Sequence, residues 1–187
     1  MINWVASGVL EAGAEVEIVD AVRLENKTNG CIGCRDCKRS DYYRCVIKDE
    51  TSSLIVRTLE KDVVVFATPV YFGSFPAQMK RLVDRMYCLI KIRDGSYFIE
   101  PALKDVSLAL IATAGGDEKY GLSLFSAYMR DFCAAGFGKG LYEFLLPSCP
   151  STPGEMKSNL KVRHKAIAFG RQLVQRIENN VERRKND

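Results

Sequence analysis

The chain has 187 residues, of which 47% are hydrophobic and 27% charged. This composition is that of one folded globular domain and excludes a disordered chain. The net charge of +4 is small and is partly carried by residues 182–187, which we expect to be a solvated helix end, so we predict no nucleic-acid partner.

No apolar run is long enough to cross a membrane, and no basic-then-apolar leader follows Met1. The chain has seven cysteines, an odd number, and such crowded cysteines are more typical of metal or redox chemistry in a reducing compartment than of disulfides. We therefore expect a cytoplasmic protein with no membrane partner.

The first third of the chain predicts two helices separated by a strand and a loop. Apolar residues at helical spacing indicate a helix over residues 2–12. Residues 15–20, E-V-E-I-V-D, indicate a short strand, and the cysteine-motif loop occupies residues 21–48 of the single predicted domain, residues 1–187. Asp49 is the expected cap of a helix over residues 50–60.

The middle of the chain predicts two strands joined by a helix. Residues 62–67, D-V-V-V-F-A, form a continuous apolar run that is typical of a parallel strand covered on both faces. A helix begins near Pro76, and its charged residues, Arg85 among them, are expected to face solvent. After an excursion, residues 106–112 indicate a third strand.

The last third predicts a helix over residues 122–135, a fourth strand over residues 141–146, and a long final helix. Thr152 caps that last helix, which is expected to run to about residue 181 with proline at its first position. Strands that alternate with helices predict an α/β three-layer fold with a parallel sheet.

Ligands of such sheets bind beyond the carboxyl ends of the strands. The cysteine loop, the segment T-P-V-Y-F-G and the segment T-A-G-G each follow a predicted strand, so we expect all three at one edge of the sheet. The two shorter segments offer backbone amides, aromatic faces and close backbone approach, which suit a planar cofactor. Taken singly, each is also typical of an ordinary turn.

Four of the seven cysteines are spaced C-x2-C-x2-C-x7-C: Cys31, Cys34, Cys37 and Cys45. Three ligands on a tight loop plus one remote ligand is the arrangement that iron–sulfur clusters use. Nearby basic residues, Lys38, Arg39, Arg44 and Lys48, would offset the negative charge of a thiolate-bound cluster. A structural zinc site, which usually draws on two separated C-x2-C pairs, and redox or unoccupied thiols are the alternatives.

The segment A-T-P-V-Y-F-G-S-F-P-A-Q-M-K-R-L-V-D-R, preceded by C-I-G-C-R-D-C and C-V-I-K-D-E, resembles the flavodoxin-like NADPH-dependent FMN reductase family, in particular its iron–sulfur flavoprotein branch. The resemblance implies a flavodoxin-like fold, an FMN cofactor, a 4Fe-4S cluster bound by the four cysteines, and a homodimer or homotetramer. It implies a redox donor such as NAD(P)H or ferredoxin. It places the following residues at the flavin: Thr68, Pro69, Val70, Tyr71, Phe72, Gly73, Thr113, Gly115 and Gly116.

Family members open with a first strand and a Ser/Thr/Asn-rich loop that wraps the FMN phosphate, whereas this chain begins inside the helix that follows. We therefore expect the first strand to be absent and FMN retention by these residues to be weak. A start site placed too late, a degenerate homologue and a partner segment that fills the gap are the three explanations, and an upstream extension should tighten FMN binding under the first.

The predicted function is that of an FMN-dependent oxidoreductase or electron-transfer iron–sulfur flavoprotein, in which no side chain need act as a catalytic acid or base. The alternatives are an NAD(P)H-dependent FMN or quinone reductase without a cluster, and a zinc-stabilised or cofactor-free binding module. Residues outside these motifs, His164, Cys88, Cys133 and Cys149, are assigned no role.

Overall fold

The computed structural model describes the backbone of residues 1–186 and the side chains of residues 1–179. Within that part of the chain, the strands are β1 (Val63–Pro69), β2 (Ile90–Arg93), β3 (Ser96–Ile99), β4 (Ser107–Thr113) and β5 (Leu141–Leu146). The α-helices are α1 (Ile2–Glu11), α2 (Asp36–Arg39), α3 (Glu50–Thr58), α4 (Ala77–Arg85), α5 (Ser123–Phe132), α6 (Pro153–Ser158) and α7 (Leu160–Asn186).

The central sheet is parallel, with the order β1-β4-β5. All side chains of β4 from Ser107 to Ala112 are buried, as expected of a middle strand covered on both faces. The expectation of the same cover for β1 is wrong in part, because β1 is an edge strand of the described sheet and Val65 is 38% exposed. The three strands predicted over residues 62–67, 106–112 and 141–146 are confirmed.

Alternate residues of β4 face two separate helical layers. Leu108 and Leu110 belong to a core that also contains Ile55 of α3, Val83 of α4 and Phe125 of α5. On the opposite face, Ala109 and Ile111 pack with Val5 of α1 and with Ala166 and Leu173 of α7. The predicted α/β three-layer architecture with a parallel sheet is therefore confirmed.

The helices α1 and α7 cross at two glycines. A Cβ atom added to Gly8 would lie 2.0 Å from the carbonyl oxygen of Ile167, and one added to Gly170 would lie 2.2 Å from that of Val5. Neither space admits a side chain, so these glycines set the close approach of the two backbones.

The strand predicted over residues 15–20 is wrong. This segment has no ladder partner in the described structure, and Val16 and Ile18 are exposed. Glu17 is instead held by ion pairs to Arg57 and Lys61 beside the end of α3. A strand is stabilised by its neighbour, and the period-2 pattern of this segment has no neighbour to pair with here.

The final helix differs from its predicted form by one break. Asn159 separates α6 from α7, and its side-chain Oδ1 accepts a hydrogen bond from the Val162 amide at 3.1 Å, which caps the second helix. Thr152 caps α6 as predicted. The side chains of residues 182–187, expected to be solvated, lie outside the described residues, and no helix within residues 1–186 is both long and apolar enough to cross a membrane.

Candidate functional site

A cavity lined by thiols, here called the thiol cavity, lies against the carboxyl end of α4. Its lining residues are Gly30, Cys31, Ile32, Gly33, Cys34, Arg35, Cys37, Cys45, Val46, Ile47, Arg85, Tyr87 and Cys88. All four predicted metal-binding cysteines therefore border one space. Cys31 and Cys34 are exposed, Cys37 is buried and Cys45 is half-buried, so the cavity opens to solvent on the side of the C-x2-C pair.

The end of α4 differs from its prediction at Arg85, which is 2% exposed rather than facing solvent. Its guanidinium donates hydrogen bonds to Cys45 Sγ at 3.3 Å, to the Ile47 carbonyl at 2.9 Å and to Asp49 Oδ2 at 2.5 Å. The sequence contained a signal for this burial, because Arg85 lies three residues after the apolar Leu82 and therefore neighbours it on the helix surface.

Asp49 fixes the position of that guanidinium. Its Oδ1 accepts from the Ser52 amide at 3.0 Å in the capping box of α3, and its Oδ2 also accepts from the Lys27 amide at 3.1 Å. Burial acts to raise the pKa of Asp49, but the hydrogen bonds from Arg85 and the two amides outweigh it, so the pKa lies below its ordinary value. Asp49 is therefore an anion that ties α3 to the cysteine loop and α4.

Two lysines anchor the backbone of the cysteine loop. Lys91 of β2 is 1% exposed, and its Nζ donates to the carbonyl oxygens of Cys37, Ser40 and Tyr42. Lys38 reaches in the opposite direction, to the carbonyl oxygens of Tyr87 and Ile90, and its Nζ lies 3.5 Å from the centre of the Tyr87 ring. Both contacts fasten α2 and its flanks to the hairpin of β2 and β3.

Burial dominates the titration of the inner thiols. Burial raises the pKa of Cys37, and the positive charge of Lys38 acts in the opposite direction. Burial also raises the pKa of Cys88 to about 12, with Cys45 and Cys37 adding to the rise. Cys88 is 3% exposed and lines the cavity as a fifth thiol. In the sequence it stands apart from the cysteine motif, so nothing there assigned it to this site.

The thiol donors that line the thiol cavity are of a kind that binds iron–sulfur clusters and zinc alike. Among the described residues, no three Cys, His, Asp or Glu side chains converge closely enough to bind one ion. Tetrahedral zinc needs sulfurs about 3.8 Å apart, as follows from Zn–S bonds near about 2.3 Å, whereas thiolates on the corners of a cluster stand farther apart. Four thiols border one space in this structure, and Arg85 Nε is buried and unpartnered among the described residues.

The two loops expected at a flavin leave the sheet side by side. Pro69 at the end of β1 pairs with Thr113 at the end of β4, and the Val70 amide donates to the Thr113 carbonyl at 2.8 Å. Thr68 is buried, and its hydroxyl donates to the Pro69 carbonyl at 2.9 Å. The predicted residues of both segments therefore meet at the carboxyl edge of the sheet, as ligand-binding loops of such sheets do.

Beyond β1, residues 71–74 form a tight turn, here called the aromatic turn. Tyr71 and Ser74 exchange two backbone hydrogen bonds of 3.1 Å, and the two central residues have positive φ, 51° at Phe72 and 73° at Gly73. Phe72 is fully exposed and Tyr71 is 58% exposed. Phe72 is thus a bulky residue with positive φ whose ring is not covered by the described residues, so it is available to contact a ligand or a partner at this edge.

The glycine loop, residues 113–116, lies beside the aromatic turn. A Cβ atom on Gly115 would meet nothing within 4 Å, and Gly116 accepts a backbone hydrogen bond from Ser148 at 2.9 Å. The next part of this connection reaches the aromatic turn at Gly121, where an added Cβ would lie 3.3 Å from the backbone of Gly73. Open space at Gly115 is what a planar ligand lying along this backbone would require.

The cysteine loop does not follow a strand, so the premise from which it was expected at this edge is wrong. It follows the unpaired residues 15–20 rather than a strand, and it lies against the carboxyl end of α4. The aromatic turn precedes the amino end of the same helix, whose nine residues rise about 13 Å. The thiol cavity thus lies at the carboxyl end of α4, whereas the aromatic turn precedes the amino end of this helix.

Comparison with known proteins identifies relatives of this chain. An iron–sulfur flavoprotein of Methanocaldococcus jannaschii is 32% identical over 85 residues, which cover 46% of this chain and 42% of that protein. A second iron–sulfur flavoprotein of the same organism is 26% identical over 131 residues, 70% of this chain and 61% of that protein. The chain spans less than half the length of the first of these relatives.

Among solved structures, the NAD(P)H:quinone oxidoreductase from Methanothermobacter marburgensis superposes with a TM-score of 0.69 at 18% identity, over 92% of this chain and 89% of that one. That likeness confirms the flavodoxin-like fold. Residues 1–128 match the family described as NADPH-dependent FMN reductase. Because this match covers more than half of the sequence, the chain belongs to the NADPH-dependent FMN reductase family.

Proposed function

We propose that the protein is an FMN-dependent oxidoreductase that also carries an iron–sulfur cluster and passes electrons between the two. The observation that carries this proposal is the thiol cavity, where Cys31, Cys34, Cys37 and Cys45 border one space in a member of a flavin-binding family. The flavin supplies two-electron chemistry with a donor such as NAD(P)H, and the cluster supplies one-electron transfer.

The charges around the cavity support a cluster with four thiolate ligands. Such a cluster is anionic, and an anion in a partly buried site requires nearby cations or hydrogen-bond donors. Arg85 and Lys91 are buried and Lys38 is half-buried. Of these three cations, Arg85 contacts the Cys45 sulfur, whereas the two lysines donate to backbone carbonyls and act on the cavity through their charge.

The loops at the sheet edge support FMN as the flavin. Thr68, Pro69, Val70, Tyr71, Phe72 and Gly73 would contact one side of the ring, and Thr113, Gly115 and Gly116 the other. The amino end of α1 lies close to Cys149, whose backbone amide donates to the Ala114 carbonyl at 2.8 Å. A helix amino end beside the glycine loop is a favourable place for a phosphate group.

The cluster is tested on protein purified without oxygen, by assaying iron, zinc and acid-labile sulfide on one sample. We expect about four irons and about four sulfides per chain, as in a 4Fe-4S centre. Cys37→Ser should lose most of the iron and sulfide. Cys133→Ser is the matched control, because Cys133 is buried elsewhere and contacts the Gly138 carbonyl rather than the cavity. Zinc in place of iron would contradict electron transfer through a cluster.

Flavin binding is tested by fluorescence titration of FMN into the protein and into Phe72→Gly. Removing a fully exposed ring takes nothing from the core, and glycine accepts the positive φ without strain, so stability should not fall. The loss of ring contact should raise the Kd for FMN about three- to tenfold, as expected for an aromatic pair. An unchanged Kd would place the ring away from the flavin.

A second candidate is an NAD(P)H-dependent reductase of free flavin or quinones that works without a cluster. The family match over residues 1–128 favours it, because that family is described by FMN reduction alone. Stoichiometric FMN, NAD(P)H oxidation and no iron would support this candidate.

For either function, we expect a homodimer or homotetramer. A second copy would cover the exposed Tyr71 and Phe72 and would bring the two sites of neighbouring chains together.

A further inference from the structure

Arg85 holds one guanidinium between a carboxylate and a cavity thiol. One terminal nitrogen donates to Asp49, and the other donates to Cys45 Sγ and to the Ile47 carbonyl. Its Nε is buried and has no partner among the described residues. The guanidinium is thus fixed by its contacts with Asp49 and Ile47 as well as with Cys45, while the Nε–H remains available to donate.

The orientation of this guanidinium depends on Asp49. The Asp49 side chain is 2% exposed, and backbone amides of Ser52 and Lys27 bind its two oxygens. An Asp49 side chain held in this way cannot swing to follow Arg85, so it imposes the direction in which Arg85 faces the sulfur. The N–H of Arg85 is therefore already oriented toward Cys45 before the charge in the cavity changes.

We propose that Arg85 is a positioning residue of the thiol cavity, which raises the reduction potential of the cluster through its hydrogen bond to Cys45. This inference rests on the proposed function, because it requires that a cluster binds there. An electron taken up by a bound centre would increase the negative charge on the thiolate ligands, and the N–H···S bond from Arg85 to Cys45 would become stronger. Arg85 itself gains and loses neither an electron nor a proton.

A hydrogen bond to a ligand sulfur, together with burial and net charge, is what adjusts the potential of such centres. Arg85 combines all three effects, because it is buried, cationic and in contact with the sulfur. Lys38 and Lys91 carry charge but bind carbonyl oxygens instead. The potential should therefore depend on Arg85 more than on any of the exposed basic residues of the cysteine loop.

The test is a spectroelectrochemical titration of the protein after anaerobic reconstitution with iron and sulfide. The main variant is Arg85→Gln combined with Asp49→Asn, which replaces the buried ion pair by two neutral amides and leaves no uncompensated charge. We expect the ratio of reduced to oxidised centre, at the wild-type midpoint, to fall about tenfold, a shift of about 59 mV to more negative potential.

Lys80→Gln is the matched control. Lys80 lies on the same helix, pairs with Asp84 and is 43% exposed, so its removal takes away a positive charge without touching the cavity. We expect its midpoint to equal that of the wild type. Arg85→Lys keeps the charge but loses the planar guanidinium. Its midpoint potential should lie between those of the double variant and of Lys80→Gln.

An iron- and sulfide-loaded double variant with the midpoint of Lys80→Gln would overturn the role of Arg85 and leave the proposed function intact. Failure of the wild-type protein to take up iron and sulfide would overturn both. If the double variant does not fold or load, Arg85→Lys decides the question, because a merely structural ion pair would change its stability but not its potential.

Discussion

Arg85 Nη1 and Asp49 Oδ2 are 2.5 Å apart in an ion pair whose side chains are only 1% and 2% exposed. The pair joins the first turn of α3 to the last residue of α4, and it lies beside Cys45. Taking both charges out of water is unfavourable, and the contact is stable only because further hydrogen bonds satisfy the two groups. Removal of one partner should therefore be far more harmful than removal of both.

Asp49→Asn should lower the free energy of unfolding by about 3 to 5 kcal/mol at neutral pH, because it leaves the buried Arg85 charge uncompensated. Urea denaturation followed by circular dichroism measures the change. The matched control is Asp41→Asn, which breaks an ion pair to Arg93 whose side chains are 90% and 58% exposed. Screening by solvent should keep that loss below about 1 kcal/mol, and equal losses in the two variants would contradict the importance of burial.

The contribution of Asp49 should also depend on pH in a defined direction. Its pKa in the folded protein lies below its ordinary value, because donation by Arg85 and two amides outweighs burial. The unfolded chain, with a carboxyl pKa near about 3.9, therefore takes up the proton first as the pH falls. The stability contributed by Asp49 is complete above about pH 5 and is lost as the pH falls through the lower, folded-state pKa.

Denaturation of the wild type and Asp49→Asn between pH 7 and pH 3 tests this dependence. We expect the difference in unfolding free energy to stay constant down to about pH 5 and to shrink below about pH 4. A difference that increases as the pH falls would show that the folded-state pKa is raised rather than lowered.

Gly170→Ala should destabilise the protein, because the new methyl group would lie 2.2 Å from the Val5 carbonyl oxygen. The helices α1 and α7 would have to separate, and overpacking of this kind lowers the unfolding free energy by about 1 to 3 kcal/mol. Gly154→Ala is the control, since a Cβ atom there would meet nothing within 4 Å. That change should be neutral or stabilising by up to about 1 kcal/mol, and thermal unfolding of both variants would reveal any departure.

Lys91→Met should loosen the cysteine loop. The substitution leaves the carbonyl oxygens of Cys37, Ser40 and Tyr42 without their shared donor, and each unpaired buried group costs about 1 to 3 kcal/mol. Hydrogen exchange followed by mass spectrometry should show faster exchange over residues 36–42. Lys139→Met, at an exposed position, is the control, and identical exchange in the two variants would contradict the anchoring role of Lys91.

The local patterns of the sequence predicted most of the elements that form here. Apolar runs located β1, β4 and β5, and Asp49 and Thr152 located two helix starts, because these signals depend on neighbours within a few residues. The motif C-x2-C-x2-C-x7-C predicted the cysteines that border one cavity, since short spacing alone keeps Cys31, Cys34 and Cys37 together.

Tertiary structure alone decided which residues surround those thiols and whether residues 15–20 form a strand. A period-2 pattern becomes a strand only beside a partner, and these residues pair with none in the described structure. Arg85 and Cys88 line the cavity from a different part of the chain, and Lys91 binds carbonyl oxygens of the cysteine loop. A charged side chain is buried only where distant partners satisfy it. The sequence by itself therefore determined most of the elements and the cysteine motif, whereas long-range contacts determined the charge around the thiols.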